Sequence, residues 1–149
     1  MDWKTLSLEL MKISEVVCVT TINADGYPET RAMFNLLRQE QFPGLQSFLH
    51  QSPAFTVFLT TNTSSRKLQH LRTNPRASVY YCAPLDWRGL DLVGNLIEIT
   101  DQEIKKNLWQ PGWELYYPGG WEDPDYSVLL MTPHHARYYH QLDCVDFEP

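Results

Sequence analysis

Phe58-Leu59-Thr60-Thr61-Asn62-Thr63-Ser64-Ser65-Arg66-Lys67-Leu68-Gln69-His70-Leu71-Arg72-Thr73-Asn74-Pro75 is the most informative stretch of the chain. An apolar, β-prone run from Ala54 ends at Thr60 and Thr61, and hydroxyl residues then turn the backbone. Leu68 and Leu71 form an i, i+3 apolar pair, and Asn74-Pro75 stops the helix they define. Thr63, Ser64 and Ser65 offer N-cap hydroxyls to that helix. Arg66 and Lys67 fall in its first turn, where cations oppose the helix dipole. That placement is unfavourable without a bound anion. Free amide N–H groups, hydroxyl donors, a guanidinium and an ammonium together suit a phosphate.

The pattern extends outward as short strands. Towards the N-terminus, Val16–Ile22 is β-branched, Asn23-Ala24-Asp25-Gly26 is turn chemistry, and Tyr27–Leu37 reads as the return strand of a hairpin. Alternation puts Arg31 and Met33 on one face of that strand. An apolar stripe over the first fourteen residues predicts a helix, and Gln39–Pro53 predicts a loop with a short amphipathic turn. Towards the C-terminus, strands are expected at Ala77–Ala83, Leu90–Thr100, Tyr126–Thr132 and Ala136–Leu142. Gly94 marks a bulge or close backbone approach. Asp101 caps a helix reaching Leu108, and six aromatics follow between Trp109 and Tyr126. About seven strands with three or four short helices, and no long crossovers, favour an antiparallel barrel or sandwich over a doubly wound parallel sheet.

The 149 residues suit a single domain spanning 1–149. Twelve Lys and Arg against eighteen Asp and Glu give a net charge of −6. The acids are unevenly spread. Gln41–Leu85 contains none, yet it carries Arg66, Lys67, Arg72 and Arg76. The overall charge argues against a general nucleic-acid binder, while the acid-free window leaves room for a local anion site. Cys18, Cys82 and Cys144 are far apart, with no CxxC pattern. Buried thiols at Cys18 and Cys82 and a reducing cytoplasm are therefore expected. Asp2 and the lack of an apolar stretch make the N-terminus unlike a secretory signal, and no apolar run suggests a membrane helix.

Three segments together resemble the pyridoxamine 5′-phosphate oxidase-like, FMN-binding split-barrel superfamily: Thr20–Met33, Phe58–Pro75 and Tyr116–Tyr126. The layout is most similar to its short, general-stress-protein branch. The resemblance covers Val16 to Tyr139. It implies a mainly β fold, an antiparallel six- to seven-stranded split β-barrel with short flanking helices. It also implies FMN held in clefts of a homodimer. Arg31 matches the strand arginine near the FMN phosphate, and Ala32, Met33 and Phe34 match backbone positions along the flavin ring. Thr60 and Thr61 match a strand-end pair bonded to the flavin, and Ser65, Arg66 and Lys67 match the phosphate-gripping step. Trp121 matches an aromatic that the partner subunit offers. The chain departs from the true oxidase at Leu36, where the oxidase has a lysine used for its own substrate. The oxidase's C-terminal extension has no counterpart before Pro149.

These readings predict a cytoplasmic FMN-dependent oxidoreductase, with a nicotinamide or another small molecule as electron donor and no membrane or nucleic-acid partner. The alternatives are a non-catalytic flavin carrier or sensor, and a split barrel for a deazaflavin or haem. His134, His135 and His140 are close in sequence, but adjacent strand residues face opposite ways and make poor joint metal ligands. The aromatic segment reads chiefly as core and dimer packing, with a flavin lid or stacking surface as the alternative, and Glu122–Asp125 as a solvated acidic turn in which Asp123 can also cap.

Overall fold

The hairpin expected at the start of the chain forms one edge of a curled sheet. In the computed structural model, which describes residues 2–149, β1 (Val16–Ile22) pairs antiparallel with β2 (Pro28–Phe34) from Val16↔Phe34 to Ile22↔Pro28. Gly26 takes a φ of 85° in the connecting turn, a conformation that costs glycine little. β2 ends at Phe34, three residues before the expected Leu37. Beyond it, Asn35 is buried and donates to the carbonyls of Met11 and Ser14, which turns the backbone away from the sheet.

Six further strands complete the sheet: β3 (Val57–Asn62), β4 (Arg76–Ala83), β5 (Arg88–Ile99), β6 (Tyr126–Met131), β7 (His135–His140) and β8 (Asp143–Phe147). Their order is β2-β1-β4-β5-β6-β3, and β7 joins β5 to β8. Every pairing is antiparallel. β5 is the hinge of the architecture. Residues 88–95 pair with β4, 88–93 also pair with β7, and 96–99 pair with β6. The switch follows Gly94, where an added Cβ would lie 3.2 Å from the Cα of Pro133. The close approach expected at that glycine is present. β2 and β3 are the two ends of the main path and have no hydrogen-bonded pairing with each other, so the barrel is split between them.

The eighth strand is one more than the sequence pattern implied. The stretch expected as one strand through Leu142 turns at Gln141, with φ 56°, and returns as β8. Only Val145 and Phe147 of β8 pack on the core, too short an alternation to stand out. β3 starts at Val57 rather than Ala54, because Phe55 takes a φ of 70°.

Four helices flank the sheet: α1 (Trp3–Ile13), α2 (Gln46–Leu49), α3 (Arg66–Thr73) and α4 (Gln102–Leu108). Asp2 caps α1 by accepting from the amides of Lys4 and Thr5, and Asp101 caps α4 in the same way. Two apolar clusters form. One fills the barrel with Val19, Leu59, Val79, Leu92, Leu96, Leu129 and their neighbours. The other gathers Phe42, Phe58, Leu108, Trp113, Tyr117 and Tyr126. Alternation explains the division. Val57 and Leu59 of β3 face the first cluster and Phe58 the second, so this strand is buried on both sides. Cys18 and Cys82 are half-buried rather than buried, since each falls on the outward phase of its strand. Among the described residues, no helix is long and apolar enough to cross a membrane.

Candidate functional site

The split between β2 and β3 holds a cavity of about 400 Å³, a size typical of small-molecule sites. Arg31, Ala32, Met33 and Phe34 line it from β2, Thr60, Thr61 and Asn62 from β3, and Lys67 from α3. Val16 and the aromatics Trp113, Tyr116 and Tyr117 complete the wall. The cavity is two-natured. Arg31, Lys67 and the β3 hydroxyls are polar, while Val16, Met33, Phe34 and Trp113 offer apolar surface. The Phe34 and Trp113 rings lie 4° from parallel with centroids 6.2 Å apart.

The two cations come from different elements. Alternation along β2 turns Glu29, Arg31 and Met33 inward and leaves Thr30, Ala32 and Phe34 exposed. Arg31 Nη1 donates to Thr21 Oγ1 at 2.8 Å and to the Val19 carbonyl at 3.2 Å. Lys67 Nζ donates to Thr61 Oγ1 at 2.8 Å. Both side chains are half-buried, and burial pushes both pKa values down. The charge of Arg31 lowers Lys67 further. Arg66 lowers Arg31 as well, against the opposing pull of Glu29. Among the described residues, no carboxylate lines the cavity. Two desolvated cations of like charge are what an anion would relieve. Tyr117 is pushed up to about 12, by burial and then by Asp125 and Asp123, so its phenol keeps its proton at neutral pH.

Seven of the ten residues proposed from the sequence therefore surround one space: Arg31, Ala32, Met33, Phe34, Thr60, Thr61 and Lys67. Ser65, Arg66 and Trp121 do not line it. Arg66 is exposed on the other side of α3 and pairs with Glu29 at 2.8 Å. Trp121 packs against the aromatic cluster, with Lys106 Nζ 5.9 Å above its ring. Ser65 occupies the N-cap of α3, but its side chain makes no cap bond. Its Oγ is buried without a hydrogen-bond partner, two residues before Lys67 in the chain, a donor that an anion would satisfy. That orphaned hydroxyl and the paired cations fit a phosphate group.

The acid-free window is not acid-free in space. Glu29 reaches Arg66 from β2. Asp125 enters the turn before α3, accepting from Asn62 Nδ2 at 2.7 Å and from the Ser64 amide at 2.8 Å. The acidic turn at 122–125 is thus a structural clamp, not simply a solvated loop, and one amide of the expected cradle is already used. Asn62 and then Ser64 hold the Asp125 carboxyl below the usual range. A depressed folded pKa gives stability that is complete above the unfolded value of about 4 and lost as pH falls below it. Acid unfolding of the Asp125→Asn variant should accordingly be flatter than wild type below about pH 4. Superimposable profiles, followed by circular dichroism, would remove the clamp.

Trp113, Tyr116, Tyr117, Val16 and Asn62 were not named individually as site residues from the sequence, although Asn62 lies in the anion motif and the three aromatics in the segment with the lid alternative. Trp113 and Tyr117 reach the site because single turns of 3-10 helix fold the aromatic segment over the β2–β3 gap. Aromatic density was the available signal, and it could not tell wall from core. His135 pairs with Asp146 at 2.9 Å on the surface. Among the described residues, no three His, Cys, Asp or Glu side chains are placed to share a metal ion.

Comparison with known proteins matches this architecture. The sequence model of the family described as pyridoxamine 5′-phosphate oxidase matches residues 7–140. No curated protein sequence matches the chain. A solved Clostridium acetobutylicum protein, related to general stress protein 26 of B. subtilis and of the pyridoxinephosphate oxidase family, is 32% identical with a TM-score of 0.79. That alignment covers 99% of this chain and 96% of the other. General stress protein 26 from Bacillus anthracis is 17% identical, with a TM-score of 0.73 over 99% of this chain and 100% of that one. A haem-binding protein from Mycobacterium smegmatis is 16% identical, with a TM-score of 0.66 over 95% of this chain and 57% of that one. The latter two share the fold. The chain belongs to the pyridoxamine 5′-phosphate oxidase family.

Proposed function

We propose that the protein binds FMN in the β2–β3 cavity and serves as an FMN-dependent oxidoreductase for a small substrate. The carrying observation is the pairing of two desolvated cations, Arg31 and Lys67, with an aromatic and apolar wall in one cavity free of carboxylates. Arg31, Lys67 and Ser65 would hold the phosphate. Thr60, Thr61 and the backbone of Ala32–Phe34 would meet the ring. Bound flavin supplies the electron transfer. The Tyr117 phenol can donate a hydrogen bond into the site, and Trp113 with Phe34 keeps water from one side of it.

The cavity rim is apolar and open. Val16, Phe34 and Tyr116 are 44%, 41% and 56% exposed in one chain. A second copy covering them makes the working unit a homodimer, with Trp121 available to the neighbouring site. A nicotinamide is the leading electron donor. The general stress protein 26 relatives support a stress-linked role. Haem is a second reading, motivated by the M. smegmatis likeness. Among the described residues, no histidine or cysteine lines the cavity, which leaves Met33, Tyr116 and Tyr117 as side chains there able to ligate iron.

Visible absorption of the purified protein, before and after adding FMN, tests this. Flavin bands that remain through gel filtration are expected. A Soret band, or free FMN only, overturns the reading. Anaerobic bleaching of the flavin bands by NADH or NADPH is the expected mark of an oxidoreductase, and unbleached flavin favours a carrier.

A further inference from the structure

We infer that His70 is a positioning residue for phosphate recognition, locking the guanidinium of Arg31 to the helix that carries Lys67. The inference rests on the flavin reading above and names a residue outside the cavity wall. His70 lies on α3 and is 9% exposed. Its Nδ1 is 2.8 Å from Thr21 Oγ1. Thr21 is fully buried on β1, and the same hydroxyl accepts from Arg31 Nη1 at 2.8 Å. The other ring nitrogen, Nε2, is 3.7 Å from Glu29 Oε2. That carboxylate oxygen also accepts from Asn23 Nδ2 at 2.9 Å and from Arg66 Nη2 at 2.8 Å.

Donor counting fixes the direction of the Arg31–Thr21 bond. An arginine only donates, so Thr21 Oγ1 must accept from it. The same hydroxyl keeps its proton and a second lone pair, and its remaining bond is to His70 Nδ1. The other ring nitrogen, Nε2, faces the Glu29 carboxylate. The chain Arg31–Thr21–His70 joins β2, β1 and α3 through one buried hydroxyl. Lys67 lies one turn earlier on the same helix. His70 thus sets the spacing between two cations that the chain supplies from separate elements. An ordinary core histidine would need a partner, but that partner would not also anchor a cation of the site.

The test measures FMN and riboflavin affinity side by side, because only FMN carries the phosphate. His70→Leu and His70→Gln should each lower the FMN-to-riboflavin affinity ratio about tenfold, the scale of one misplaced charge-assisted hydrogen bond. His70→Asn puts an amide, able to donate or accept, where Nδ1 stood and should keep the ratio within about threefold. Thr21→Val should match His70→Leu without altering α3, and the double variant should lose no more than the worse single one. An unchanged ratio in folded His70→Leu overturns the inference, as does parallel weakening of both ligands, the mark of a merely structural role. Loss of the ratio in His70→Asn equal to that in His70→Leu also overturns it. Wild-type protein that binds FMN no better than riboflavin overturns the phosphate reading itself, and this inference with it.

Discussion

Replacing Arg31 and Lys67 together by alanine is expected to reduce FMN affinity by a factor of about 10²–10⁴. Each charge-assisted hydrogen bond to an anion contributes about 1.5–3 kcal/mol, and every 1.4 kcal/mol is about tenfold. Both cations are half-buried and, among the described residues, no carboxylate lines the cavity, so no ion pair there competes with the phosphate. Arg66→Ala provides the contrast. Its guanidinium is exposed and already paired with Glu29, and exposed pairs contribute about 0–1 kcal/mol. A loss below about fivefold is expected there. The apo form of the double variant should melt no lower than wild type, since two like charges leave a desolvated site. Titration of FMN fluorescence checks all three proteins. A greater loss in Arg66→Ala than in the double variant would move the phosphate to the outer side of α3.

Leu92→Ala should destabilise the fold by about 3–5 kcal/mol, the range for a leucine removed from a filled core. Leu92 is 0% exposed and lies where β5 pairs with two strands at once, opposite Val79 of β4 and Ala136 of β7. The backbone there is held from both sides and cannot collapse into the space. For a chain of this size the midpoint of thermal unfolding should fall by roughly 6–20 °C. Ile97→Ala on the same strand is the control. Ile97 is 48% exposed, so it should lose far less, about 1 kcal/mol or below. Equal shifts in the two variants would mean that β5 does not carry the core.

The site was partly legible because its chemistry is local. Thr60, Thr61 and Lys67 belong to one strand–turn–helix segment, and their residue types announce an anion site at that spacing. Arg31 was legible by alternation on β2. Ser65 was named as a phosphate contact, yet its hydroxyl is left without any partner by the surrounding fold. Arg66 was expected beside Lys67, but a helix turns about 100° per residue, so neighbours in sequence look in different directions. Glu29 then takes Arg66 to the outer side.

The acid-free stretch from Gln41 to Leu85 marks the same division. By itself the sequence determined the alternating strands, the helix that begins at Arg66 and the concentration of basic groups near it, because these depend on neighbours within a few residues. Tertiary structure alone decided which charges stay free. Asp125, about sixty residues away, clamps the turn before α3, and Glu29 occupies Arg66. Arg31 and Lys67 are left facing one cavity without an acid. Electrostatic pairing depends on distance in space, and local patterns of residue type do not encode that distance.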